Sequence, residues 1–112
     1  MNFIREVTEG IVIHSVVIKR ATTFEADEFR EILLSDINSG VKKIVVDLNK
    51  CSFLDSTFLG ALVIALKTIM KDGGDLRLAN PHGDVQALLE LTGMNRVFQI
   101  FRTREEALKS FG

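Results

Sequence analysis

The stretch VVDLNKCSFLDSTFLG, Val45–Gly60, carries the signals of a strand, a loop and a helix start in sixteen residues. Its opening belongs to Lys43–Leu48 (KIVVDL), a short continuous apolar run of the kind that fills a parallel strand covered on both faces. Its close offers Asp55, Ser56 and Thr57, three helix-capping side chains in a row where a helix needs one. Beyond them Leu59, Leu62, Val63, Leu66, Ile69 and Met70 recur at helical spacing, which predicts a helix with one buried stripe. Either hydroxyl can serve as a simple cap. The surplus raises the alternative that one of them is held out for modification by another protein.

The same alternation continues on both sides. Upstream, Asn2–Val7 reads as a weak strand and Thr8-Glu9-Gly10 as a turn. Ile11–Lys19 (IVIHSVVIK), rich in β-branched residues, reads as a well-covered strand with His14 inside it as a packing or edge residue. Thr22 and Glu25 have capping-box spacing, and Phe29, Ile32, Leu33 and Ile37 form the stripe of a helix closed at Asn38-Ser39-Gly40. The acidic cluster Glu25, Asp27, Glu28 and Glu31 lies mostly in its first turns, as a solvated face that suits the helix dipole. Downstream, the turn Asp72-Gly73-Gly74-Asp75 leads into a strand to Ala79 ended by Asn80-Pro81. A short helix Asp84–Leu91, a strand Val97–Phe101 and a closing helix Thr103–Phe111 complete the chain. The predicted order is ββαβαβαβα: one α/β domain over residues 1–112, with a four- to five-stranded mixed sheet covered by about four helices. Ile44, Val46, Leu76 and Leu78 join Leu59, Leu62, Val63 and Leu66 as the expected core.

Bulk properties narrow the function. The 112 residues are 46% hydrophobic, enough for one core, and carry 14 basic and 15 acidic residues for a formal charge of -1. No basic stripe of the sort a phosphate backbone needs is present, so nucleic acid is not an expected partner. A single cysteine, Cys51, fits a reducing compartment. Phe58–Met70, broken by Gly60, Lys67 and Thr68, is too short to span a bilayer, and no secretion signal opens the chain. A cytoplasmic protein with no direct membrane insertion is expected.

Chemistry-bearing constellations are missing. His14, His82 and Cys51 have no metal-site spacing, and Gly73-Gly74 fits no phosphate-cradling pattern, so neither metal nor cofactor is expected. Ser56 sits in no G-x-S-x-G elbow, although His82 follows the next strand. A response-regulator aspartate would need an acidic pair after an early strand, where this chain has Lys19-Arg20-Ala21. No enzymatic activity is expected.

Val45–Gly60 resembles the signature of the STAS family, the anti-sigma factor antagonists of bacterial partner-switching systems and the related domains of sulfate transporters. The matching residues are Asp47, Leu48, Phe53, Leu54, Asp55, Ser56, Thr57, Leu59 and Gly60. The order of elements matches over nearly the whole chain. Phe58 departs, standing where the family has a small residue, and Lys19–Glu25 lacks the usual Gly-x-Leu-Asp. The resemblance implies a phosphorylation-controlled module of transcription regulation, with Ser56 as phosphoacceptor (Thr57 the alternative) and Asp55, Thr57 and Gly60 as its motif residues. It implies as partners an anti-sigma factor serine kinase with a histidine-kinase-like ATPase fold, bound when Ser56 is unphosphorylated, and a PP2C-type phosphatase. The alternatives are a non-switching subunit or scaffold of a transporter or signalling assembly, and a small-molecule sensor.

Helical spacing adds one further expectation. Phe58, Ala61, Ala65 and Thr68 align on a second face of the helix after Ser56, which reads as an exposed partner-binding surface. The competing reading packs Phe58 against the loop Asn49–Ser52.

Overall fold

A computed structural model describes residues 1–112. Strands β1 (Phe3–Thr8), β2 (Ile11–Val16), β4 (Lys43–Asp47), β6 (Asp75–Ala79) and β7 (Ile100–Phe101) form one sheet in the order β1-β2-β4-β6-β7. β1 is the antiparallel edge and the other pairings are parallel. The mixed five-stranded sheet, its helices and the predicted order are as expected. A second, two-residue ladder pairs β3 (Arg20–Ala21) with β5 (Phe53–Leu54) in parallel.

Period-two alternation sorts each central strand between two cores. Val12, Val16, Ile44, Val46, Leu76 and Leu78 face helices α1 (Thr23–Asn38), α2 (Ser56–Lys71) and α3 (Gly83–Leu91) in the main core. Ile11, Ile13, Val45 and Ala79 face the short helix α4 (Arg104–Lys109) on the other side. Coverage of both faces is why β2 and β4 read as continuous apolar runs.

Several element ends and two positions of the buried stripe differ from expectation. The second strand stops at Val16, because Lys19 and its neighbours turn away to build the β3–β5 ladder. The last strand begins at Ile100, because Gly93, in the left-handed region at φ 73°, starts a 3-10 turn over Met94–Arg96. Met70, placed in the buried stripe, is 58% exposed at the end of α2, and Val63 is half-buried; Leu59, Leu62, Leu66 and Ile69 are buried.

The larger correction concerns the second face of α2. Phe58, Ala61 and Ala65 are buried, and Thr68 is half-buried with its hydroxyl donating to the Ile64 carbonyl at 2.8 Å. Phe58 stacks on Phe29 of α1 at 5.2 Å between centroids, and Phe29 stacks on Phe3 of β1 at 4.4 Å. Small residues beside Phe58 let α1 approach closely, so this face lies inside the protein and not at a docking surface. Nor does Phe58 rest on the loop Asn49–Ser52 alone; its main partners are aromatic.

His14 is fully buried on β2, and its Nε2 lies 2.6 Å from Oδ2 of Asp36, whose carboxylate also accepts from Arg5 of β1. Nδ1 has no partner. Burial pushes the imidazole below its ordinary pKa, against the opposing pull of Asp36. A histidine with a lowered folded pKa contributes stability that is present above the unfolded value near 6.5 and is lost as pH falls through the folded one. Urea unfolding should therefore show falling stability as pH drops below about 6.5. His14→Leu should flatten that part of the profile.

The Gly-Gly turn before β6 has a steric cause at its second residue. A Cβ on Gly74 would lie 2.3 Å from the Lys42 carbonyl oxygen and 2.8 Å from Cγ1 of Ile69. The same carbonyl accepts from Asp75 N, so it cannot swing aside freely. Gly74→Ala is expected to destabilise by about 3 kcal/mol, read as a lower urea midpoint at unchanged m.

Candidate functional site

The short β3–β5 ladder builds the site. Each of its strands runs directly into a helix, β3 through Thr22 into α1 and β5 through Asp55 into α2. Pairing Ala21 with Leu54, with Asp55 N donating to the Ala21 carbonyl at 3.1 Å, sets the two helix N-termini side by side. The guanidinium of Arg20 covers the Phe53 ring at 4.1 Å on the same ladder. Two positive dipole ends therefore meet at one edge of the molecule.

Each helix solves its own capping problem. α1 uses the expected capping box: Thr22 accepts from Phe24 N, and Glu25 accepts from Thr22 N at 2.9 Å. For α2 the choice among three candidates falls on Asp55. Its Oδ1 accepts from Phe58 N at 2.9 Å, while Oδ2 reaches across to α1 and accepts from Thr23 N at 2.9 Å and Thr23 Oγ1 at 3.2 Å. One carboxylate thus caps its own helix and clamps the neighbouring one. Desolvation pushes its pKa up, but donors from Phe58, Thr23 and Thr57 outweigh it and hold Asp55 below the ordinary carboxylate range.

Capping by Asp55 leaves Ser56 and Thr57 without that duty. Both are exposed at the first positions of α2. Gly60, one turn on, is half-exposed, and a Cβ there would meet nothing within 4 Å beyond the backbone of its own helix turn. The structure brings Asp55, Ser56, Thr57 and Gly60 together at one helix end; the buried Phe58, Ala61 and Ala65 belong to the core behind them.

Sequence reasoning missed Thr23, which carries α1 into the site. Its signal was the doubled hydroxyl Thr22-Thr23, of which only the first is needed for the capping box. Asp47, another motif residue, does different work. It accepts from Asn49 N, Asn80 Nδ2 and Arg104 Nε at 2.9–3.0 Å, fastening α4 to the end of β4. His82 is engaged by the Asn49 carbonyl at 2.8 Å. Cys51 is buried, and burial pushes its thiol above the ordinary range.

A small mixed sheet with three helices on one face and a short helix on the other, and a capped helix presenting two free hydroxyls, define the class. Residues 3–107 match the STAS domain family, and the chain belongs to it. The chain is 35% identical over 92 residues to a Thermotoga maritima protein assigned to the anti-sigma factor antagonists, covering 82% of this chain and 78% of that one. A crystal structure of an anti-sigma factor antagonist from Thermotoga maritima superposes with TM-score 0.88 at 28% identity, covering 96% of this chain and 92% of that chain. The Bacillus cell fate determinant SpoIIAA, solved in its phosphorylated form, shares the fold with TM-score 0.76 at 20% identity over 98% of this chain and 99% of that chain. No helix is long and apolar enough to cross a membrane.

Proposed function

We propose that this protein is an anti-sigma factor antagonist whose docking is switched by phosphorylation of Ser56. The observation that carries the reading is the division of labour at the α2 N-terminus: Asp55 holds the helix, so the exposed Ser56 hydroxyl can be modified without removing a cap. A helix N-terminus tolerates a phosphate, since its amides and dipole favour negative charge. The neighbouring Asp55 carboxylate repels it and directs the added charge outward. Unphosphorylated, the domain binds an anti-sigma factor serine kinase of histidine-kinase-like fold and releases the sigma factor. Phosphorylated, it lets the kinase go, and a PP2C-type phosphatase resets it. The fold shared with phosphorylated SpoIIAA supports the compatibility of the modification with the architecture.

A kinase brings its own base and magnesium, so the absence of a histidine beside Ser56 is no obstacle. The test is incubation with each purified anti-sigma kinase of the source organism and ATP, followed by mass-spectrometric mapping. Phosphate is expected on Ser56. Phosphate on Thr57 alone would move the site by one residue, and no phosphate with any such kinase would overturn the switch.

A further inference from the structure

We infer that Phe24 is the apolar anchor by which the anti-sigma kinase grips this domain, so that the partner reads the start of α1 together with that of α2. The inference rests on the docking reading above and names the residue that secures it. Phe24 is 93% exposed at the second position of α1. Its neighbours all have work within the chain: Thr22 and Glu25 form the capping box, and Thr23 binds Asp55. The phenyl ring has none. Through Thr23 and Asp55 its position is fixed relative to Ser56 by two hydrogen bonds, at 2.9 Å to the Thr23 amide and 2.9 Å to that of Phe58.

The adjoining strip of α2 is shaped to match. Thr57, Gly60 and Ile64, at i, i+3 and i+7, share the exposed side of the helix, and Ile64 is 45% exposed. A glycine inside a helix costs about 0.5–1 kcal/mol relative to alanine. Beyond the backbone of its own helix turn, nothing in the chain lies within 4 Å of where a Gly60 Cβ would be, so packing against other elements does not account for it. Close approach by a partner's surface does. Phe24, Thr57, Gly60 and Ile64 are all uncharged, and the partner must offer an apolar socket of phenyl width beside a flat surface. A phosphate on Ser56 would then enter an apolar contact, where its desolvation and charge oppose docking. Release needs no change of fold.

The experiment measures affinity of the unphosphorylated protein for the purified anti-sigma kinases of the source organism by calorimetry, with Phe24→Ala and Leu91→Ala. Leu91 is 86% exposed at the end of α3 and controls for loss of any surface hydrophobe. Phe24→Ala should weaken binding by more than about tenfold. Leu91→Ala should stay within about twofold, and neither should shift the thermal midpoint appreciably. Unchanged affinity in Phe24→Ala, with binding still lost in Ser56→Asp, would overturn the anchor and leave the switch standing. Failure of the unaltered protein to bind any of these kinases would overturn the docking reading, and the anchor with it.

Discussion

Phe58→Ala is expected to destabilise the domain by about 3–5 kcal/mol, the range for removing a buried aromatic ring from a packed core. The ring is fully buried and lies 5.2 Å from Phe29 and 6.3 Å from Phe3 in near-parallel stacks, so its loss opens a cavity bounded by two other rings. Aromatic stacking adds about 0.5–1.5 kcal/mol beyond the buried area. A domain of this kind has about 5–15 kcal/mol in all, so this single change removes a large share. At about 4–8 °C per kcal/mol for a domain near this size, the thermal midpoint should fall by more than about 10 °C. Calorimetry or a urea titration checks it. A stable Phe58→Ala protein with a specific loss of partner binding would return Phe58 to the docking surface, against its burial here.

The contrast between Phe58 and Phe24 shows where one-dimensional reading runs out. Helical period correctly placed Phe58, Ala61, Ala65 and Thr68 on one face. It could not tell whether that face met solvent or a second helix, because α2 is covered by the sheet and by α1 at once. Ala61 and Ala65 were the available clue, since small residues spaced four apart permit close helix approach. β2, β4, β6, α1 and α2 were legible because burial imposes a period of two or 3.6 on their residues, or a continuous run where both faces are covered. The β3–β5 ladder has two residues per strand and no period to read. Its existence depends on Arg20 meeting Phe53 across the fold. The cap was ambiguous for the same reason. Asp55, Ser56 and Thr57 each have capping chemistry, and what selects Asp55 is the simultaneous bond to Thr23, 32 positions away in sequence. The motif Asp55, Ser56, Thr57 and Gly60 was visible; the second helix that shares the site was not.

Ser56→Asp is expected to weaken binding to the cognate anti-sigma kinase by about 30-fold or more, whereas Ser56→Ala should hold it within about twofold. The folded domain should register neither change strongly. A carboxylate at the first position of α2 meets a favourable helix dipole worth about 0.3–1 kcal/mol, offset by repulsion from the neighbouring Asp55 carboxylate. Removing the Ser56 hydroxyl takes away no cap, because Asp55 supplies it. The partner surface is different. A charge introduced where an uncharged hydroxyl had docked must be stripped of water without a prepared counter-charge, which costs about 2–5 kcal/mol at an interface. The lower bound corresponds to about 30-fold in affinity. Stability and binding therefore separate: near-identical melting for all three proteins, one of them unable to hold the kinase. Equal affinity of Ser56→Asp and the unaltered protein would remove the electrostatic basis of the switch, and a parallel loss of stability would assign Ser56 a structural duty that Asp55 already performs.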